Sequence, residues 1–242
     1  MRRQAQLAID SANVIIMVTD VRDGIVATDE EVAAMLQKSG KPIILAVNKC
    51  DGLGAPPPEL YEFYNLGHMV EGAIAHYQAT GKRNFLDIAI RYADCVYNEI
   101  GEGEGKEVYV PGHQIAEMAL AKLYTVTGEK KYLDLAKFFL DKRGHTSRRD
   151  EYSQAHLPVV EQSEAVGHAV RAAYMYSGMA DVAALTGDKD YIDAIGRIWD
   201  NIVNKKLYIT GGIGATASGE AFGKNYELPN MSAYCETCAA IG

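Results

Sequence analysis

Four cysteines in 242 residues are too few to staple a chain of this size, so a reduced protein is expected. Long apolar runs are also missing. The longest, Val14 to Val18, falls far short of a bilayer span, and no membrane partner is expected. Met1-Arg2-Arg3 leads into Gln4-Ala5-Gln6 and not into an apolar stretch, which speaks against a signal peptide. The default location is cytoplasmic. Basic residues are in the minority: Lys and Arg number 24 against 32 Asp and Glu, for a net charge of -8. Nucleic acid as a partner is thereby disfavoured, because phosphate neutralisation needs clustered cations. No Gly-x-x-x-x-Gly-Lys-Ser/Thr occurs, so no loop of that kind cradles a triphosphate or places Mg²⁺. What is there is 48% hydrophobic and 23% charged, the balance of a globular chain with solvated helix faces.

The most informative feature is a repeat. Gly67-His68, Gly112-His113 and Gly167-His168 each open an apolar helical stretch that runs to a Thr-Gly turn, at Thr80-Gly81, Thr127-Gly128 and Thr186-Gly187. An aromatic residue then starts a second amphipathic run, at Phe85, Tyr132 and Tyr191. A helix–turn–helix unit used three times is expected. Equivalent side chains of stacked hairpins point to one end of the stack, so the three imidazoles are expected to share a mouth.

Two textures divide the chain. Residues 1–58 read as a small α/β fragment: Val14 to Val18 and Pro42 to Val47 as buried parallel strands, with a helix over Asp29 to Lys38 stopped by Gly40. Gly52 to Pro58 reads as a linker. Residues 59–242 read as mainly α, with helices over roughly 67–79, 83–99, 112–126, 130–142, 162–185 and 188–203. Gly101 to Gly105 and Arg143 to Pro158 read as loops, and the glycine-rich stretch Leu207 to Pro229 as a site-forming one. Hairpins of this kind bury their apolar faces only by stacking, which implies an α/α toroid or superhelix. Three hairpins make an open arc, and its uncovered helix faces favour self-association.

Asn48-Lys49-Cys50-Asp51 directly follows the second strand. It matches the guanine motif of GTPases, in which the Asp51 carboxylate would accept the N–H donors of the guanine edge, Lys49 would lie along the ring and Asn48 would hold the loop. Gln4 to Ile9, Lys41 to Lys49 and Pro56 to Tyr61 resemble the middle of a G domain of the Der (EngA) family of ribosome-assembly GTPases. The phosphate loop that such a domain needs is absent, which argues against GTP hydrolysis.

From about Tyr64 onward the strings Tyr64 to His68, Pro111 to His113, Gln154 to Pro158, Glu164 to Arg171, Tyr208 to Gly214, Gly219 to Gly223 and Tyr234 to Ala239 resemble glycoside hydrolase family 127, the β-L-arabinofuranosidases. The resemblance implies an (α/α)6 toroid, an arabinofuranoside-containing carbohydrate as substrate, and a zinc-bound cysteine thiolate that attacks the anomeric carbon with retention. It implies Glu220 as the general acid, Glu236 and Cys238 as zinc ligands, and His68, His113 and His168 as lining of the sugar pocket. The residues are compatible with this: a retaining glycosidase needs a nucleophile and an acid on either side of one bond, and zinc holds cysteine as thiolate. Glu236 and Cys238 would face about 200° apart on a regular helix, so a shared metal requires a turn or extended backbone there. A helical stretch would put Cys235 and Cys238 on one face instead. His76, His145 and His156 read as structural histidines. The family's nucleophile cysteine and its neighbouring zinc-ligand cysteine are expected beyond Gly242, which would leave the zinc ligand set incomplete and this chain inactive. A hybrid of a GTPase fragment and the middle of a family 127 enzyme is the organisation these resemblances suggest.

Overall fold

The computed structural model of the chain describes residues 9–20, 32–33, 35–41, 43–48 and 63–242. The chain divides into two compact units, Met1–Leu60 and Tyr61–Gly242. In the first, β1 (Ile15–Asp20) and β2 (Ile43–Asn48) pair in parallel with Ile15 opposite Ile43 and Asp20 opposite Asn48. Residues 32–33 and 35–37 between them are helical, and Gly40 follows at φ +65°. This is the strand–helix–strand order expected. Lys41 Nζ donates to the carbonyls of Ile9, Asp10 and Ala12 at 2.6, 2.6 and 2.7 Å, which closes the open end of the short helix that precedes β1. Lys49, Asp51 and the linker Gly52 to Pro58 lie outside the described residues, and of Asn48 only the backbone is described.

The second unit is helical. Its long helices are α1 (Phe63–Thr80), α2 (Asn84–Glu99), α3 (Ala116–Thr127), α4 (Lys130–Lys142), α5 (Ala169–Thr186) and α6 (Lys189–Lys205), with a short α7 (Thr237–Ile241). They pair as α1–α2, α3–α4 and α5–α6; α1, α3 and α5 also pack in a row, and α2 packs on α4. The Thr-Gly turns are built alike. Each threonine hydroxyl donates to the carbonyl four residues back, Thr80 to His76, Thr127 to Leu123 and Thr186 to Val182, at 2.7, 2.8 and 2.7 Å. Each glycine adopts a positive φ, between 69° and 74°, as a left-handed helix stop does. The aromatic register binds one hairpin to the previous one. Tyr132 on α4 donates its hydroxyl to Asp94 on α2 at 2.8 Å, and Tyr191 on α6 donates to Asp141 on α4 at 2.5 Å. Between the helix layers, Leu66, Val70, Leu86, Leu120, Leu123, Phe139, Met175 and Met179 are fully buried in one core. On α6, Ile192, Trp199 and Val203 are exposed, with Trp199 at 64%; these are uncovered apolar groups of the kind expected at the end of an arc.

Three expectations need correction. Gly67-His68 does not open its helix, because α1 already begins at Phe63, whose ring is buried against Tyr109 and Phe139. Gly67 is instead a close-approach residue: a Cβ there would lie 2.5 Å from Ile115 Cγ2. The helix expected over 112–126 begins only at Ala116, after a turn that carries His113. The helix expected over 162–185 begins only at Ala169. Backbone groups in 162–168 are taken by distant partners: Ala165 N donates to Asn201 Oδ1 at 3.0 Å, and Gly167 sits at φ +70° with Glu151 O where its Cβ would be. Tertiary hydrogen bonds here outweigh the helical period.

Candidate active site

α1, α3 and α5 bring the three histidines to one end of the unit. His68 lies in the second turn of α1, His113 in the turn before α3, and His168 is the N-cap of α5. Aromatic rings fill the gaps. Tyr64 lies 4.4 Å from the His68 ring and 4.7 Å from the His113 ring, Tyr174 lies 5.9 and 6.1 Å from the same two, and His113 and His168 are 6.1 Å apart. Tyr152 stands edge-on to His168 at 5.4 Å and carries the Arg171 guanidinium over its face at 4.8 Å. The imidazoles therefore do share a mouth. His76 is placed elsewhere, edge-on to Phe85, and His156 keeps a buried Nδ1 with no partner among the described residues.

The hydrogen bonds assign the ring nitrogens. His113 Nδ1 lies 2.6 Å from its neighbour's carbonyl, Gln114 O, so Nδ1 carries the proton and Nε2 is left as an acceptor. His168 Nδ1 accepts from Arg171 N at 3.4 Å, so Nε2–H is the donor, and it reaches Glu220 Oε2 at 3.0 Å. Burial lowers the affinity of all three imidazoles for a second proton. In His113 the pKa falls to about 4, with Arg171 and the other two histidines adding to desolvation and the Gln114 carbonyl opposing it. The row is neutral at pH 7.

Glu220 is delivered by the glycine-rich loop. Thr216 and Ala221 exchange backbone hydrogen bonds across a tight turn, and Phe222 N donates to Gly167 O at 2.9 Å, which pins the loop to the start of α5. Glu220 itself sits at φ +49°, in the left-handed region that a side-chain-bearing residue adopts only under constraint. Its carboxylate accepts at both oxygens: Oε2 from His168, and Oε1 from the Tyr234 hydroxyl at 3.1 Å. That bond raises the Tyr234 pKa.

Glu236 and Cys238 lie together as well. Cys235 is at φ +39° and Glu236 is extended as the N-cap of α7, so the chain turns before the helix starts. The Cys238 thiol is hydrogen-bonded to the Glu236 carboxylate, and this bond is the main cause of its raised pKa. Glu236 Oε2 is buried with no hydrogen-bond partner among the described residues. A thiol beside an unsatisfied carboxylate oxygen suits a cation that takes S and O donors, such as zinc. These are two donors of the four that zinc takes, and no group of three or more candidate ligands occurs among the described residues.

Several members of the site carry no sequence signal of their own. Tyr174 is one of fifteen tyrosines, and only its place in the fold separates it from core tyrosines; Tyr64 and Tyr234 lie in the family-like strings, which imply no role for them. Arg143 reads as a loop cation, yet it is fully buried and paired at 3.2 Å with a fully buried Glu117.

A family model described as the catalytic domain of GH127, β-L-arabinofuranosidase, matches residues 32–242. The chain belongs to this family. Among curated relatives, a non-reducing end β-L-arabinofuranosidase of Bifidobacterium longum is 41% identical in an alignment 202 residues long, and the match covers 75% of this chain and 31% of the relative. A solved GH127 β-arabinofuranosidase structure superposes with a TM-score of 0.74 at 80% identity and covers 75% of this chain and 28% of its own. The chain thus spans about a third of the length of these relatives. A second likeness is separate: GTPase Der of Ruminiclostridium cellulolyticum is 52% identical over 87 residues, 36% of this chain and 20% of that protein. The helical unit is a partial (α/α)6 toroid, in which α1, α3 and α5 pack in one row and α2 packs on α4.

Proposed function

We propose that the second unit carries the acid side of a β-L-arabinofuranosidase-type glycoside hydrolase site, with Glu220 as the proton donor to the leaving oxygen. The observation that carries this reading is the placement of the Glu220 carboxylate between His168 Nε2–H and Tyr234 Oη–H, at the edge of a row of imidazole and phenol rings. His168 cannot turn round to accept, because its Nδ1 is engaged by Arg171 N. The Tyr234 hydroxyl can rotate from donor to acceptor. In the acid form the proton would sit on Oε1 with the Tyr234 oxygen accepting it, and departure of that proton restores the two donors that the carboxylate has in the structure. This is differential stabilisation of the charge that forms as the glycosidic bond breaks. Tyr64, Tyr174 and the neutral histidines offer apolar ring faces and single hydrogen-bonding atoms, the mixture that a furanose ring with few hydroxyls requires.

Glu236 and Cys238 would hold a zinc ion, which when bound keeps a cysteine as thiolate and so supplies a nucleophile at neutral pH. Further donors would have to complete the pair, since no group of three or more candidate ligands occurs among the described residues. Release of p-nitrophenol from a β-L-arabinofuranoside, abolished by Glu220→Gln, tests the reading. Saturable binding of the same sugar with no turnover would mark a non-catalytic carbohydrate-binding arc instead. The Der likeness and the parallel β1–β2 pair favour a second reading for the first unit, guanine-nucleotide binding through Asn48, Lys49 and Asp51. Calorimetric titration with GDP decides it, and no heat at millimolar ligand sinks it.

A further inference from the structure

His113 and His168 stand on different hairpins, and their relative placement has a physical origin beneath the mouth. Gln114 and Gln154 are both fully buried. Gln114 Nε2 donates to Gln154 Oε1 at 2.7 Å and to Ser153 O at 2.8 Å. Gln154 Nε2 in turn donates to Val166 O at 2.9 Å and lies 3.2 Å from both His168 O and Tyr152 O, and Tyr152 O itself receives His168 N, so the amide sits among the backbone groups that place His168. Gln114 is the residue whose own carbonyl takes the His113 Nδ1 proton. Three hydrogen bonds, the first two joined through the covalent frame of Gln114, therefore lead from the His113 ring by way of the Gln154 amide to the backbone of His168. The Gln154 backbone is held at φ +54° to make this possible. Buried amides whose donors are engaged favour one arrangement, and here both Nε2 groups are engaged while Gln114 Oε1 is buried with no partner among the described residues. Arg143 Nη1 donates to the same Ser153 carbonyl at 2.9 Å, which keeps the middle of the run from shifting.

We propose that the Gln114–Gln154 amide pair is a positioning bridge that sets the separation and the tautomers of His113 and His168, and through His168 the placement of Glu220. This rests on the reading of the mouth as the sugar site, but its test does not. Gln154→Met keeps the volume and removes the donor. The readout is the nitrogen–proton spectrum of the imidazoles in the intact chain, which reports tautomer and titration without substrate. In Gln154→Met the His113 and His168 titrations move by about half a pH unit or more, or either ring changes tautomer. The control is Gln162→Met. It removes buried amide bonds to the Gln154 and Leu157 carbonyls, at 2.9 and 3.0 Å, so it loosens the Gln154 backbone but keeps the side-chain amide that makes both arms. It lowers Tm and leaves both imidazoles where they are. Gln114→Met breaks the bridge from the other arm and decides the matter should Gln154→Met not fold. Imidazole spectra of the bridge variants that coincide with wild type, or that move as much in Gln162→Met, overturn the proposal. Where the chain turns over an arabinofuranoside, the bridge variants lower kcat at least tenfold with KM changed less than threefold. Absence of turnover in the unsubstituted chain sinks the site reading and leaves the spectra to judge the bridge.

Discussion

His168 Nε2 and Glu220 Oε2 are 3.0 Å apart, although 52 residues separate them in the chain, and the imidazole is almost buried while the carboxylate remains partly open. Glu220 raises the proton affinity of His168, against burial and Arg171, which lower it. Replacement by Gln removes the charge and keeps the shape. In Glu220→Gln the His168 imidazole titrates at lower pH than in the unsubstituted chain, by about half a unit or more. Imidazole shifts followed from pH 8 to pH 4 check this, and an unmoved or upward-moved curve contradicts the pairing.

The same histidines make stability depend on pH. Their folded pKa values lie below the free value of 6.5, in His113 at about 4. The unfolded chain therefore binds more protons than the folded one between these limits, and stability falls as pH drops through 6.5 toward 4. At pH 5 the loss from His113, discounted for partial solvent access, is about 1–2 kcal/mol. Urea melts at pH 7.5 and pH 5 measure it. His113→Gln reduces the difference between the two pH values, and an undiminished difference assigns the effect to other groups.

Part of this was legible and part was not. The Thr-Gly turns are local signals, since a left-handed stop is written in adjacent residues, and the Gly-His repeat marks equivalent places in the three hairpins although only His168 caps a helix. The extra turn of α1 before Gly67, and the delay of α3 and α5, were not legible. Gly67, Ile115 and Gly167 answer to contacts with distant backbone or side chains, not to their neighbours in sequence. The buried polar layer was the least legible. Arg143, Ser153 and Gln154 fall in a stretch whose composition is that of a solvated loop, and only the fold turns it inward.

Gly167 is a backbone requirement of the site. A Cβ there would lie 1.8 Å from Glu151 O, and φ is +70°. Gly167→Ala costs on the order of 3 kcal/mol, from the left-handed strain together with displacement of the 151–152 backbone that receives His168 N. Gly72→Ala serves as the control, since its Cβ would meet only Phe85 at 3.8 Å and no positive φ is involved. Thermal unfolding of the two variants separates them, and equal Tm values refute the close approach as the cause.

The Arg143–Glu117 pair lies under the His113 turn with both side chains fully buried. Arg143 also donates to Pro111 O and Ser153 O, each at 2.9 Å, while Glu117 Oε2 accepts from Ile115 N at 3.2 Å. Removing one partner leaves the other charged and buried, so Arg143→Met and Glu117→Leu each cost about 3–5 kcal/mol. The double variant loses less than the sum, because no unpaired charge remains. Additive losses in denaturant melts would mean that the two charges do not depend on each other.

The last prediction concerns Glu236 and Cys238. A metal that binds there displaces the Cys238 thiol proton, which the Glu236 carboxylate now holds in place. Binding is therefore tighter at pH 8 than at pH 6, and it releases a proton. Two donors bind weakly compared with a closed four-donor site, so zinc taken up by this chain exchanges readily with a chelating dye. Cadmium reports on the sulfur directly, through the ultraviolet band of its thiolate bond. The band appears on titration of the unsubstituted chain, vanishes in Cys238→Ser, and weakens in Glu236→Gln. Cys235 is the neighbouring thiol that could mislead: its pKa is raised by burial, and its side chain packs against Gly212. Cys235→Ser therefore leaves the cadmium band unchanged. Loss of the band in Cys235→Ser, with retention in Cys238→Ser, would move the thiolate from Cys238 in α7 to Cys235 in the turn before it and remove Cys238 from the ligand set.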